Sequence, residues 1–68
     1  MSVYKLIELV GTSQISWDDA AKQAIETAGR SLNDLRIAEV QKLDLKVENG
    51  TLYYRARLTL SFKYIEGE

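Results

Sequence analysis

The chain has 68 residues, contains no Cys, His or Pro, and carries a formal net charge of −1. A chain this short buries only about 60% of the surface its unfolded form exposes, and with disulfides and most metal clusters excluded, association between copies remains to hold it together. Hydrophobic residues at 46% and charged residues at 28% exclude disorder, and the small net charge excludes a long-range pull toward nucleic acid or an anionic membrane.

No run reaches the ~20 apolar residues of a membrane span, and the first residues lack the basic, apolar and small-residue pattern of a signal peptide, so a cytoplasmic protein is expected. Nothing proline-rich, repetitive or low in complexity marks a linker, and residues 1–68 are expected to form a single domain.

The first expected element is a strand over Val3 to Val10, with Tyr4, Leu6 and Val10 on one side, Val3, Ile7 and Leu9 on the other, and Gly11-Thr12-Ser13 ending it. Ser16 followed by Asp19 resembles a capping box, so a helix should start at Trp17, with Asp18 and Asp19 complementing the positive end of its dipole. Trp17, Ala20, Ala21, Ala24, Ile25 and Ala28 recur at helical spacing and form one apolar stripe, opposite Lys22, Gln23 and Glu26. Gly29 is a suitable C-cap, while Leu32 continues the stripe.

Two long strands follow, Leu35 to Val47 and Leu52 to Ile65, joined by Asn49-Gly50, the pair favoured in a type I′ hairpin turn. In the last strand Leu52, Tyr54, Ala56, Leu58, Leu60, Phe62 and Tyr64 alternate with Arg55, Arg57, Thr59, Ser61 and Lys63. The preceding strand changes parity: Ala38 and Val40 are apolar at even positions, Leu43, Leu45 and Val47 at odd ones. One extra residue near Gln41-Lys42, a β-bulge, restores a single apolar face and throws Ile37 and Glu39 to the side opposite the helix, beside Arg55 and Arg57.

The alternation of directions makes the last strand antiparallel to both others and puts it between them. The expected fold is α+β, a βαββ unit with one helix on a three-stranded antiparallel sheet of order 1-3-2. A helix of about 13 residues is roughly 20 Å long, against roughly 45 Å for a strand of about 14. It covers under half of the hairpin, and the remaining apolar length should be buried by other copies of the chain.

The polar face carries the candidate chemistry. Arg55 and Arg57, two apart on one strand, suit a grip on a phosphate or carboxylate, or equally ion pairs with the cross-strand acids Asp44 and Glu39. Ile37 is either a ligand wall or a subunit contact, and Trp17 is expected in a core or interface role. Glu8, Asp18, Asp19, Glu39, Asp44 and Glu48 could supply oxygen to calcium, but no run resembles an EF-hand loop, so a calcium site would have to be assembled across subunits. A nucleic-acid surface built from Tyr53, Arg55, Arg57 and Lys63 lacks the aromatic pairs such surfaces use. No nucleophile elbow, phosphate loop or base with an orienting partner points to catalysis.

The strand Val3-Tyr4-Lys5-Leu6-Ile7-Glu8-Leu9-Val10-Gly11-Thr12-Ser13, the Ala/Ile-rich helix, Leu35-Arg36-Ile37-Ala38-Glu39-Val40 and the closing Ser61-Phe62-Lys63 resemble the dodecin family over nearly the whole chain. The resemblance implies a hollow homododecamer that binds a small ligand, often riboflavin or FMN held in pairs near two-fold axes. In flavin-binding members a Trp stacks on the isoalloxazine ring at the position of Ile37, a Gln packs on it at the position of Arg55, and some have an Asp for the ribityl chain at the position of Lys42. The expected ligand wall is therefore Ile37, Ala38, Lys42, Arg55 and Arg57, with flavin binding weakened by loss of the stack. The pattern, including Ser16-Trp17 at the helix start, is most similar to the calcium dodecin branch, which lacks the stacking Trp. The implied partners are further copies of the chain and a small molecule, with calcium as an alternative ligand and neither nucleic acid nor membrane.

Overall fold

The computed structural model describes residues 2–29 and 35–65, except the side chains of Gly29, Tyr64 and Ile65. Leu32 and the side chain of Tyr64, both assigned apolar places by the sequence, lie outside the described residues. The elements are β1 (Val3–Ser13), α1 (Trp17–Gly29), β2 (Leu35–Glu48) and β3 (Thr51–Ile65), and the sheet has the order β1-β3-β2 with both pairings antiparallel. Architecture and strand order agree with the reading of the sequence.

β1 does not stop at Val10. It pairs with β3 as far as Ser13 opposite Tyr54, with Gly11 opposite Ala56. Gly11 serves close packing, because a Cβ there would lie 2.1 Å from the Ala20 carbonyl oxygen and 3.0 Å from the Ala24 Cβ. The helix thus rests directly on the strand backbone, which only glycine permits.

Ser16 caps α1 as expected: the Asp19 N–H donates to its Oγ at 3.0 Å and the Ala20 N–H to its main-chain oxygen at 3.0 Å. The Asp19 carboxylate, however, turns toward the strand it follows. Its Oδ2 accepts from the Ser13 hydroxyl at 2.6 Å and from Gln23 Nε2 at 2.8 Å, while the Ile15 N–H donates to Ser13 Oγ at 2.9 Å. Buried Ser13 therefore ties the end of β1 to the first turn of α1.

Ala24 and Ala28 of the stripe pack with Leu58 and Leu60 of β3, with Ile7, Leu9, Ala21, Ile25 and Leu35 at the edges, and Ala20, Ala56 and Phe62 are buried as well. Leu58 and Leu60 are wholly buried; burial of such side chains stabilises the fold by ~1.5–3 kcal/mol each. At the turn, Asn49 has φ 51° and Gly50 φ 77°, the two positive values a type I′ hairpin requires.

The bulge is where the parity switch puts it. Val40 faces Leu58 and Lys42 faces Arg57, leaving Gln41 as the extra residue. A second shift, at Arg36, goes beyond the reading of the sequence: Leu35 faces Phe62 and Ile37 faces Ser61. Its signal is the change from apolar Leu35 at an odd position to Ala38 at an even one.

The helix lies over β1 and β3 and leaves the same side of β2 open. Val40 is 50% exposed, Leu43 and Leu45 48% each, and Val47 71%. The molecule measures 53 × 20 × 15 Å, with a radius of gyration of 14.0 Å, against about 11 Å for a compact chain of this length. Among the described residues no helix is long and apolar enough to cross a membrane.

Candidate ligand-binding site

The cross-strand register fixes which side chains share the face away from the helix, here the outer face, since directly opposed residues point the same way. Its rows, each read from β1 through β3 to β2, are Leu6, Ser61 and Ile37; Glu8, Thr59 and Glu39; Val10, Arg57 and Lys42; Thr12, Arg55 and Asp44. The two bulges produce this grouping, for in a regular ladder the side chains of Glu39 and Lys42, three residues apart, would point to opposite sides.

Four of the five expected ligand-wall residues, Ile37, Lys42, Arg55 and Arg57, share the outer face. Ala38 does not. It stands opposite Leu60, on the helix side, and only its backbone borders the outer face. Ile37 is 63% exposed and so is Leu6 in the same row, giving an apolar patch at one end of the face.

Arg55 is paired within its own chain. Its Nε donates to Asp44 Oδ1 at 2.7 Å and its second guanidinium nitrogen to Asp44 Oδ2 at 2.9 Å, a two-point ion pair between neighbouring strands. The Arg55 hydrogen bond holds the Asp44 carboxyl below its usual value, assisted by the nearby charges of Lys42 and Arg57, and Asp44 in turn raises the Arg55 guanidinium. The cross-strand ion pair expected for Arg55 is thus formed with Asp44.

The same row is braced from the helix side. Trp17 Nε1–H donates to the Asp44 main-chain oxygen at 3.0 Å, and its ring meets Tyr54 edge-on with centroids 5.1 Å apart. The sequence places Trp17 on the apolar stripe, and nothing in its spacing signals a bond to a residue 27 positions away. Among the described residues no three acids or other ligating side chains of one chain come together as a metal cluster. Of the six acids considered for calcium, Asp44 is engaged by Arg55 and Asp19 by Ser13 and Gln23.

Comparison with known proteins matches residues 3–65 to the Dodecin family. The chain is 45% identical over 64 residues to the calcium dodecin of Mycobacterium tuberculosis, covering 93% of this chain and 90% of that protein. The crystal structure of that calcium-chelating antigen, described with a novel calcium-binding site, superposes with a TM-score of 0.86 at 41% identity, covering 98% and 97% of the two chains. The dodecin of Streptomyces coelicolor superposes with a TM-score of 0.86 at 30% identity over 97% and 96%. The helix laid on a sheet of order β1-β3-β2, the matched length and these identities establish that the chain belongs to the dodecin family.

Proposed function

We propose that the chain is a non-enzymatic subunit of a homo-oligomeric shell, a dodecamer on the family pattern, that holds a small ligand and retains only weak affinity for flavin. The observation that carries the assembly is the open apolar side of β2, where Val40, Leu43, Leu45 and Val47 stay about half exposed or more in their own chain. An exposed apolar strip of this kind is an interaction surface. Weak flavin binding is supported by the outer face: an aliphatic Ile37 offers no ring to stack on, and Arg55 would have to leave Asp44 or present a charged pair to the isoalloxazine. The residues present do not fit a tightly stacked ring.

Light scattering should give a single large species, and the purified protein should lack the visible absorbance of a bound flavin. Riboflavin fluorescence should be quenched weakly by the native protein and strongly by Ile37→Trp, Arg55→Gln at the same assembly size. A folded monomer at micromolar concentration overturns the shell, and strong quenching by the native protein overturns the weakened site.

Calcium is the second reading, favoured by the 45% identity to a protein named calcium dodecin. Calorimetric titration with calcium should then give saturable heat from the assembled protein, with ligands drawn from more than one copy.

A further inference from the structure

The tip of the hairpin sets a side-chain amide beside the one backbone nitrogen that can attack it. Asn49 and Gly50 are both exposed, and the pair that closes the turn is Glu48 opposite Thr51. A two-residue loop leaves its central peptide outside the ladder. Among the described residues neither the Gly50 N–H nor the Asn49 amide has a hydrogen-bond partner. A Cβ built on Gly50 would meet nothing within 4 Å, so no neighbouring group hinders movement of this peptide.

Cyclisation requires the Gly50 nitrogen to swing onto Asn49 Cγ. A five-membered ring closed through Cα, Cβ and Cγ holds ψ of an L-asparagine at about −120°, the value of the first central residue in a type II′ turn. Types I′ and II′ share a φ of about +60° at that residue, and Asn49 already has φ 51°. They differ by a flip of the central peptide. The flip carries Gly50 from its φ of 77° to about −80°, a passage that glycine makes without steric cost. Both turn types close a two-residue hairpin. The reacting geometry is therefore one rotation of an unbonded peptide away, with the ladder between β2 and β3 intact.

We propose that Asn49 is a site of self-modification by intramolecular deamidation. The Gly50 nitrogen gives its proton to water or hydroxide and attacks Asn49 Cγ. The new N–Cγ bond replaces the Cγ–Nδ2 bond, and the amide nitrogen leaves as ammonia. Water then opens the cyclic imide at either carbonyl, giving an aspartyl or an isoaspartyl residue, with no change of oxidation state. Each product adds a negative charge beside the ion pair of Lys46 and Glu48, in a chain whose formal net charge is already −1. In the isoaspartyl product the main chain runs through Cβ and Cγ, so the loop gains one backbone atom. Hairpin register depends on loop length, and the pairs nearest the turn, Glu48 with Thr51 and Val47 with Leu52, are the first to part. The turn is thus a slow timer on the outer part of the hairpin.

The experiment keeps the full chain warm in mildly alkaline buffer, folded in one sample and unfolded in guanidinium chloride in another. Peptide mass spectrometry follows the exchange of amide for carboxylate, and released ammonia is measured alongside. The folded chain should convert at Asn49 about as fast as the unfolded one, and faster than at Asn33, where the bulkier Asp34 follows in place of glycine. Asn49→Gly supplies a pair also favoured in the type I′ turn and should release no ammonia from this site. An Asn49 that stays intact in the folded chain while it converts in the unfolded one overturns the proposal, as does conversion no faster than at Asn33. In the isoaspartyl fraction, amide hydrogen exchange at Val47, Glu48, Thr51 and Leu52 should be faster than in fresh protein. Unchanged exchange there overturns the timer.

Discussion

The indole of Trp17 donates a hydrogen bond to the main-chain oxygen of Asp44 across 3.0 Å, joining the first turn of α1 to the outer half of the hairpin. The Asp44 side chain, on the opposite side of the sheet, grips Arg55. Backbone and side chain of one residue thus tie together the helix, β2 and β3. Trp17→Phe keeps a ring against Tyr54 and removes the donor, and should lower the unfolding free energy by about 1 kcal/mol. Urea denaturation at fixed protein concentration measures it, and an unchanged midpoint would show that water replaces the indole without loss.

Gly11→Ala should destabilise far more than its size suggests. The added Cβ would meet the Ala20 carbonyl oxygen at 2.1 Å, and backbone cannot yield as a side-chain tip can. The helix must lift from β1, at a cost of about 1–3 kcal/mol or more. Thermal unfolding should show a clear fall, and equal melting temperatures would mean the helix seat is soft.

Acid should weaken the hairpin through Asp44. Its carboxyl is held below the ordinary 3.8 by the Arg55 hydrogen bond, so its contribution is fully present above that value and fades as the pH falls through the lower folded value. Asp44→Asn should be less stable than the native chain at neutral pH and show a shallower loss of stability below about pH 4. Parallel acid titrations followed by circular dichroism would disprove this assignment.

Leu58→Ala and Val47→Ala should separate folding from assembly. Leu58 is wholly buried, and its truncation should cost ~2–5 kcal/mol of stability. Val47 is 71% exposed within its own chain, so its truncation should leave secondary structure intact and lower the assembled fraction in sedimentation. Undisturbed assembly would place Val47 outside the subunit contacts.

Periodicity makes the fold legible. The alternation in Leu52 to Phe62, the Asn49-Gly50 pair and the parity change after Val40 are enough to place β3 centrally and locate one bulge, because each has a local cause. The outer face is legible only as a set of candidates. Asp44 and Arg55 are both recognisable as charged neighbours, but which of two cations takes which acid depends on register, and register depends on counting the bulge. Gly11 reads as a strand end because close approach of a helix backbone leaves the same mark in sequence as a turn. The Trp17 bond to Asp44 has no signal at all, since its acceptor is a backbone atom that every residue possesses.

The extra residue at Gln41 makes the face sensitive to register in a way it is not to side-chain identity. Deletion of Gln41 would leave Val40 and Lys42 adjacent, as their partners Leu58 and Arg57 are, and keep every side chain on its face. With the Asn49-Gly50 turn fixing the distal half of the hairpin, pairing Gln41 into a regular ladder would instead roll the strand from Ile37 to Val40 over. Ala38 and Val40 would emerge where Ile37 and Glu39 now stand. Substitution on this face grades its charge and shape one position at a time, whereas a slip of one residue exchanges an entire half-strand between the helix side and the outer face. New ligand preferences in a chain of this design can therefore arise by sliding as well as by replacement.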